Sequence, residues 1–563
     1  MRQPTRHHTS RLLVAAVPLA LAACGDDATS TAAPDVTADA AASDDATAED
    51  AAAPDAAPPD DGPPKALVYR VDPLTTPTPE TVGLEHLASE AGELTGLYAR
   101  VRSCTPDKAR GQAVPVDFGG LSLTLTTCVP ESIARPEADG DYDHIAPPAA
   151  EGDPDDAFSE VMMYHHMQVI HDFFKDVHGL TDRDAPLDAI TNVQAHVDLC
   201  DSWTKIANAA FIPKESLDQL PFGIDLGLDG DAIVFSGTDK RNFAFDAAVI
   251  YHEYTHAMLG ATRLNAVFAD GQGLNNLPGA LNEAYADYFA GAITNASAVG
   301  NYALNDLGTF AVCGFPLGSG GNLARDMANT RTCPDDLTAE VHADSEIFSS
   351  ALWQIRTELG ASDADRVILA GVLTLTNASD FQVAAEATID AARDLLGEAA
   401  EQKVRAAFEA RTVLGCDRVL PAARVGARGL ALSLEPNGAF QPNPYPGYTP
   451  GYLQVGFEVP AGATRVELAL TLGGGQLGAP AATPALELAL KAGGEPVGYT
   501  FGVTAGSVRH DAPVTLTVGS DGKATLEAAE GETLAAGPWV FAVHNKGEAA
   551  SLSAVKVTDR TAR

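Results

Sequence analysis

Residues 251–256 read Tyr-His-Glu-Tyr-Thr-His, and this short run constrains the fold more than any other stretch of the chain. Positions four apart in an α-helix lie about 40° apart around the axis and about 6 Å along it. In a helix His252 and His256 therefore point the same way, and their two imidazoles can share one ion. The flanks agree: AAVIYHEYTHAML (247–259) is mostly apolar and reads as a helix. Glu253 lies about 100° further round, close enough to reach a water beside such an ion. Two histidines of a core helix that never meet a metal are the plain alternative. The spacing with a glutamate after the first histidine favours zinc and its general base.

A catalytic zinc takes three protein ligands and keeps one position open, so another element has to bring a third donor. A metzincin would carry Gly at 259 and His at 262; Leu259 and Thr262 stand there and exclude that class. LNEAYADYFAGAI (281–293) reads as a further helix and offers Glu283, 27 residues after His256. Its Ala, Tyr and Phe neighbours are a poor setting for an idle carboxylate. Asp287, one turn on, can accept a hydrogen bond from the far nitrogen of a ligating histidine and fix its tautomer.

With 563 residues the chain is too long for one compact domain, and two or three are expected. Residues 66–150 mix short β-like runs with Pro and Gly, and GLSLTLTTC (120–128) alternates as a strand does. Helical patterns dominate from about 155 to 415, at 159–179, 247–259, 281–293, 345–359, 381–396 and 399–411. After Cys416 the texture changes to LQVGFEV, RVELALTL, ALELALK, VTLTV and WVFAV between Gly/Pro turns, a β-sandwich signature over 428–563. A catalytic unit is expected over 151–420.

Arg2, Arg6 and Arg11 precede an apolar run, Leu12–Ala23, too short to span a bilayer and laid out as a secretory signal (1–23). The run ends Leu21-Ala22-Ala23-Cys24, which resembles a bacterial lipobox and implies lipidation of Cys24; an ordinary signal with a chance cysteine is the alternative. Residues 24–65, rich in Ala, Asp, Pro and Thr, read as a disordered acidic tether. The expectation is an exported lipoprotein held at a membrane by its anchor alone. A formal net charge of −40 without a Lys/Arg cluster argues against a nucleic-acid partner. Setting Cys24 aside, six of the seven cysteines are left, which in an exported chain suggests three disulfides. Proximity favours Cys104–Cys128 and Cys313–Cys333, leaving Cys200–Cys416. Asp225, Asp229 and Asp231 in DLGLDGD read as a calcium loop or a plain turn, without EF-hand spacing. His165, His166 and His171 share a helix but no common face, and read as core or surface histidines.

HEYTH followed by NEAYAD (282–287) resembles the thermolysin–fungalysin group of metallopeptidases, the gluzincins. DAAVIYHEYTH (246–256) and EVHADSEIFSSALW (340–353) look closer to the fungalysin branch, and HDFFKDVHG, ANAAF (207–211) and LARDM (323–327) recur in the family's order. The resemblance implies an α+β, thermolysin-like two-lobed peptidase domain, its N-terminal lobe β-rich and its C-terminal lobe helical, with the C-terminal β-sandwich beyond it. It further implies one zinc bound by His252, His256 and Glu283, Glu253 as general base, and His342 as oxyanion donor. Arg325 would hold a substrate carbonyl, and Asn208 and Ala209 would pair with the substrate backbone. The substrate would be a peptide or protein, the chain a monomer, and calcium a further ligand. No tyrosine lies between 257 and 282, where thermolysin keeps an oxyanion-stabilising one, so more of that task falls on His342. The N-terminal part is too short for the family's usual inhibitory propeptide. An inactive surface-binding lipoprotein and a gluzincin aminopeptidase are the competing readings.

Overall fold

The computed structural model describes residues 62–561 apart from 89–91, 119–120, 150–155, 206, 220–224, 263, 265–266, 306, 308, 314, 320, 435–452, 475–484, 502–507 and 548–549. The expected signal, Cys24 and nearly all of the tether lie outside the described residues. Among the described residues no helix is long and apolar enough to cross a membrane.

The first part of the chain is built on a mixed five-stranded sheet. Its order is Ala209–Ile212, Ala232–Phe235, Leu187–Thr191, Ala99–Thr105, Val129–Glu131, with the two central pairings parallel and the outer two antiparallel. An antiparallel four-stranded sheet of Ala113–Phe118, Leu121–Thr127, Gln194–Val197 and Ser202–Lys205 adjoins it. Residues 187–235 thus carry five strands where helical patterns were expected to dominate. Leu187–Thr191, Gln194–Val197 and Ala232–Phe235 are buried at every position, so they lack the alternation that marks a half-exposed strand.

Among the described residues seven α-helices complete this part: α1 (Phe158–Asp172), α2 (Ala247–Leu259), α3 (Leu277–Thr294), α4 (Val341–Leu359), α5 (Ala361–Val372), α6 (Phe381–Leu396) and α7 (Glu398–Glu409). Helix α1 packs on the strand Ala99–Thr105, and α2 lies between α1, the edge strand Ala209–Ile212 and α3. Helix α4 then packs on α3. This region differs from the sequence reading in several bounds. Helix α1 ends at Asp172, α3 and α4 each start four residues earlier, the latter taking His342 into its first turn, and α5 is an additional helix. Gly360, at φ 86°, ends α4 and opens α5 without a loop between them to punctuate the pattern.

The C-terminal part forms a five-stranded sheet (Val419–Pro421, Gln454–Val459, Gly537–Asn545, Leu486–Ala492, Val514–Thr517) and a four-stranded sheet (Leu432–Leu434, Ala550–Thr561, Ala463–Gly474, Lys523–Glu527). The five alternating runs read from the sequence all lie in these sheets, and their inward residues, such as Val466, Leu468, Leu488 and Phe541, join the same apolar core as α1–α7. Three disulfides tie the molecule: Cys104–Cys128, Cys200–Cys313 and Cys333–Cys416. The expected Cys313–Cys333 and Cys200–Cys416 pairs are therefore corrected. Cys313 sits in the turn between Thr309–Val312 and Phe315–Ser319, and that hairpin reaches the Val197 cluster of the four-stranded N-terminal sheet, where Cys200 lies.

Candidate metal centre

Helix α2 begins where the Asp246 carboxylate accepts the Ala248 amide at 3.1 Å, and all thirteen of its residues are buried. Helix α3 begins with Pro278 in its first turn and ends at Asn295 in the left-handed region. Packed on each other, the two helices bring together what the sequence separates. His252 Nε2 and His256 Nε2 are 3.1 Å apart. Glu283 Oε2 lies 3.1 Å from the first, and its Oε1 lies 3.7 Å from the second. Donors on a tetrahedral zinc at ligand distances of about 2.0–2.1 Å are about 3.3 Å apart, so these three fit one ion. Glu283 Oε2 is buried without an aligned hydrogen-bond donor, as expected of an oxygen aimed at a common point rather than at the imidazole. Among the described residues this is the one group of three or more potential metal ligands within such reach.

The surroundings favour positive charge at that point. Burial alone would raise the Glu283 carboxyl, but His342, His256 and His252 hold it well below the usual range. Burial works against charge on His252 too, yet Asp287 and Glu283 outweigh it and carry the imidazole up to about 10. A metal ion held there would take the place of that proton, since ligation and protonation compete for one lone pair. His256 is lowered, chiefly by burial.

Asp287 is fully buried, 2.9 Å from His252 Nδ1, and takes a two-pronged pair of hydrogen bonds from Arg325 Nε and Nη2, both at 2.7 Å. With Nδ1–H donating to Asp287, the Nε2 lone pair of His252 faces His256 and Glu283. Arg325, in the short strand Arg325–Asp326, thus lies directly behind His252. Glu253 is nearly buried on the neighbouring face of α2, and its Oε2 accepts the Phe211 backbone amide at 2.8 Å. Phe211 belongs to the edge strand that starts at Ala209. Asn208 precedes it, its carbonyl accepting the Ser236 amide.

His342, half-exposed, has its Nε2 3.5 Å from Glu283 Oε2. Glu340 grips its Nδ1 at 2.7 Å and also caps α4 through the His342 and Ala343 amides. Burial opposes charge on His342, but Glu283 and Glu340 together raise it above the usual imidazole range. Sequence reasoning did not single out Glu340 or the Phe211 amide. A glutamate just before a helix, two residues ahead of a candidate histidine, was a readable signal for the first; the second depends on the sheet edge meeting α2.

Other expected features fall elsewhere. Asp231 is engaged by Arg183 and the Lys214 amide, Asp225 accepts the Gly227 amide, and Asp229 lies 4.0 Å from Arg100, so the three do not converge as a calcium site would. His166 is buried between Tyr251 and the Tyr69 carbonyl, and His171 lies between Asp172 and Asp184.

Residues 273–413 match the family model described as thermolysin metallopeptidase, alpha-helical domain. A zinc metalloproteinase of Listeria monocytogenes is 31% identical over 193 residues, 32% of this chain and 36% of that protein. Neutral protease NprE of Bacillus pumilus is 30% identical over 204 residues, 34% of this chain and 60% of that protein. The extracellular elastase of Staphylococcus epidermidis is 26% identical over 262 residues, 46% and 47% of the two chains. The alignments thus span about a third to three fifths of these relatives. The precursor of protealysin from Serratia proteamaculans is a structural neighbour over 45% of this chain and 78% of its own at 17% identity, but its TM-score of 0.31 is too low to speak to the fold. The matched relatives stand on the thermolysin side, and the nearer likeness to the fungalysin branch is not part of what they show. Over residues 273–413 the chain is thus similar to the helical domain of thermolysin metallopeptidases, and the relatives it matches in part are zinc metalloproteases.

Proposed function

We propose that the protein is an exported zinc endopeptidase that hydrolyses peptide bonds of peptide or protein substrates. The observation that carries this is the meeting of His252, His256 and Glu283 on one point, with the Glu253 carboxylate and a sheet edge beside it. His252, His256 and Glu283 would hold zinc, which would supply a Lewis acid for the scissile carbonyl and for water. Glu253 takes the proton of the attacking water and later delivers it to the leaving amine. Its Oε2 is anchored by the Phe211 amide, which orients the carboxylate for both transfers. His342, whose charged form Glu340 favours through its contact with Nδ1, donates to the carbonyl oxygen as negative charge develops there. The edge strand beginning at Ala209, with Asn208, offers backbone groups to an extended substrate, a recognition mode open to any exposed sheet edge. Arg325 holds Asp287, and through it His252; its further role in this reading is to meet a substrate carbonyl.

The leader and Cys24 support export with a lipid anchor, and the acidic tether would hold the folded part clear of the membrane. The two C-terminal sheets are consistent with an accessory β-sandwich following a catalytic unit over 151–420. The test is casein cleavage by the purified chain with and without a chelator, followed by zinc, beside Glu253→Gln. We expect cleavage that stops on chelation and returns with zinc, and a variant that binds zinc without turnover. Wild-type proteolysis by Glu253→Gln would end the assignment.

A further inference from the structure

The segment between α2 and α3 folds into a small hairpin, Phe268–Asp270 and Gly273–Asn275. The C-terminal part holds this hairpin through three residues. Arg418, almost fully buried, donates to both Asp270 carboxylate oxygens at 2.7 and 2.9 Å. The Gln454 amide, wholly buried, donates to the Gln272 carbonyl at 3.0 Å. The Tyr499 backbone amide donates to the Gly271 carbonyl at 2.8 Å. The hold is passed on to α3: Asp270 Oδ2 also accepts from Asn275 Nδ2 at 2.9 Å, and Asn275 Oδ1 accepts the Leu277 amide at 3.0 Å. Leu277 is the first residue of α3, and Glu283 stands six residues further along that helix.

A second arginine does the same for α4. Arg428 donates to Glu346 Oε2 at 2.7 Å, to the Asp336 carbonyl at 2.6 Å and to the Ala343 carbonyl at 3.1 Å. Ala343 follows His342 in the first turn of α4. Two guanidinium groups from one short stretch of chain therefore secure the starts of the two helices that carry Glu283 and His342. The bidentate Arg418–Asp270 pair, and the three acceptors that Arg428 spans, fix direction as well as distance, which suits positioning more than general adhesion.

We infer that the C-terminal part is a clamp built into the metal centre, with Arg418 a positioning residue for Glu283 and Arg428 a positioning residue for His342. This deepens the zinc-peptidase reading and rests on it. The expectation is split by residue. Loosening α3 frees the metal, whereas loosening α4 weakens the oxyanion donor and leaves the metal in place.

The experiment uses the full chain as wild type, Arg418→Ala, Arg418→Lys, Arg428→Ala and, as control, Arg465→Ala. Arg465 pairs with Glu527 at 3.0 Å on the four-stranded C-terminal sheet. Zinc release to a chromogenic chelator, kcat and KM on a peptide, and thermal unfolding are measured on each. Arg418→Ala should release zinc about tenfold faster, in the range for residues that support a metal ligand, with Arg418→Lys between it and wild type. Arg428→Ala should keep wild-type zinc release and lose about tenfold in kcat at unchanged KM. Arg465→Ala should lower the unfolding temperature and move neither readout. Should Arg418→Ala not fold, Asp270→Asn, which keeps the link to Asn275, carries the same expectation for zinc release. Wild-type zinc release in a folded Arg418→Ala, or zinc release and kcat drifting together with unfolding temperature in all variants, would overturn the inference. If the wild type holds zinc but cleaves nothing, the peptidase reading fails, while zinc release in Arg418→Ala still decides whether α3 is clamped.

Discussion

Asp287→Asn tests how far the metal centre depends on the groups behind it. The side chain is fully buried and joins His252 Nδ1 to Arg325. Burial alone would raise its pKa, but Arg325 and His252 hold it at about 2, so it is an anion at any working pH. The amide keeps the shape and loses the charge. Removing one partner of a buried pair costs about 3–5 kcal/mol when the other is left uncompensated. Here Glu283 and Glu340 also favour the Arg325 charge, and an amide oxygen still accepts one of its hydrogen bonds, so the lower end, about 3 kcal/mol, is expected. The second consequence is separate. Without the carboxylate, His252 loses what fixes its tautomer and ring plane, which typically costs 10–100-fold in metal affinity, about 1.4–2.7 kcal/mol. The two effects are read apart by urea unfolding of the zinc-stripped chain and by zinc titration against a competing chelator. A folded Asp287→Asn that binds zinc within about twofold of wild type would refute the reasoning, because His252 would then be oriented by something else.

His342→Ala should retain zinc and lose about 3 kcal/mol of transition-state stabilisation, roughly a hundredfold in kcat; an unchanged kcat would remove His342 from the oxyanion role. Glu340 helps to raise the His342 pKa, so Glu340→Gln should move the alkaline limb of the kcat/KM profile to lower pH, while an unmoved limb would contradict that coupling. Glu160, raised to about 7 chiefly by burial, makes the native state bind a proton that the unfolded chain releases near its ordinary value. Its contribution is therefore full below about pH 4.5 and lost as pH rises through about 7, and Glu160→Gln should flatten that part of the stability profile measured by urea unfolding. Replacing Cys200 and Cys313 by serine opens a loop of 113 residues against 24 for Cys104–Cys128, so chain entropy alone predicts losses of about 5 and about 3 kcal/mol in denaturant unfolding; the reverse ranking would show that the closed loop is not what stabilises.

The helix 247–259 was legible from the sequence because helical spacing and apolar flanks are local properties, and it folds over those bounds. The C-terminal runs were legible for the same reason where burial alternates along them, as in Gln454–Val459, whereas Trp539–Val543 is buried throughout and was legible by its β-branched and aromatic residues. The strands of 187–235 were not, because burial on both faces removes the alternation. Disulfide pairing failed where nearness along the chain was taken for nearness in space: Cys313 is carried by its hairpin to Cys200, 113 positions away, and Cys333 to Cys416.

By itself the sequence determined the donor types, the helices that bear them and the four-residue spacing that puts His252 and His256 on one side, since backbone hydrogen bonding within a single turn decides all of these. Only the tertiary structure decided that Glu283 reaches both imidazoles, that Glu340 grips His342, and that Arg418 and Arg428 hold the helices behind them. Apart from the local Glu340–His342 contact, these join segments tens to more than a hundred residues apart, and their geometry follows from how whole helices and sheets pack, which no local pattern encodes.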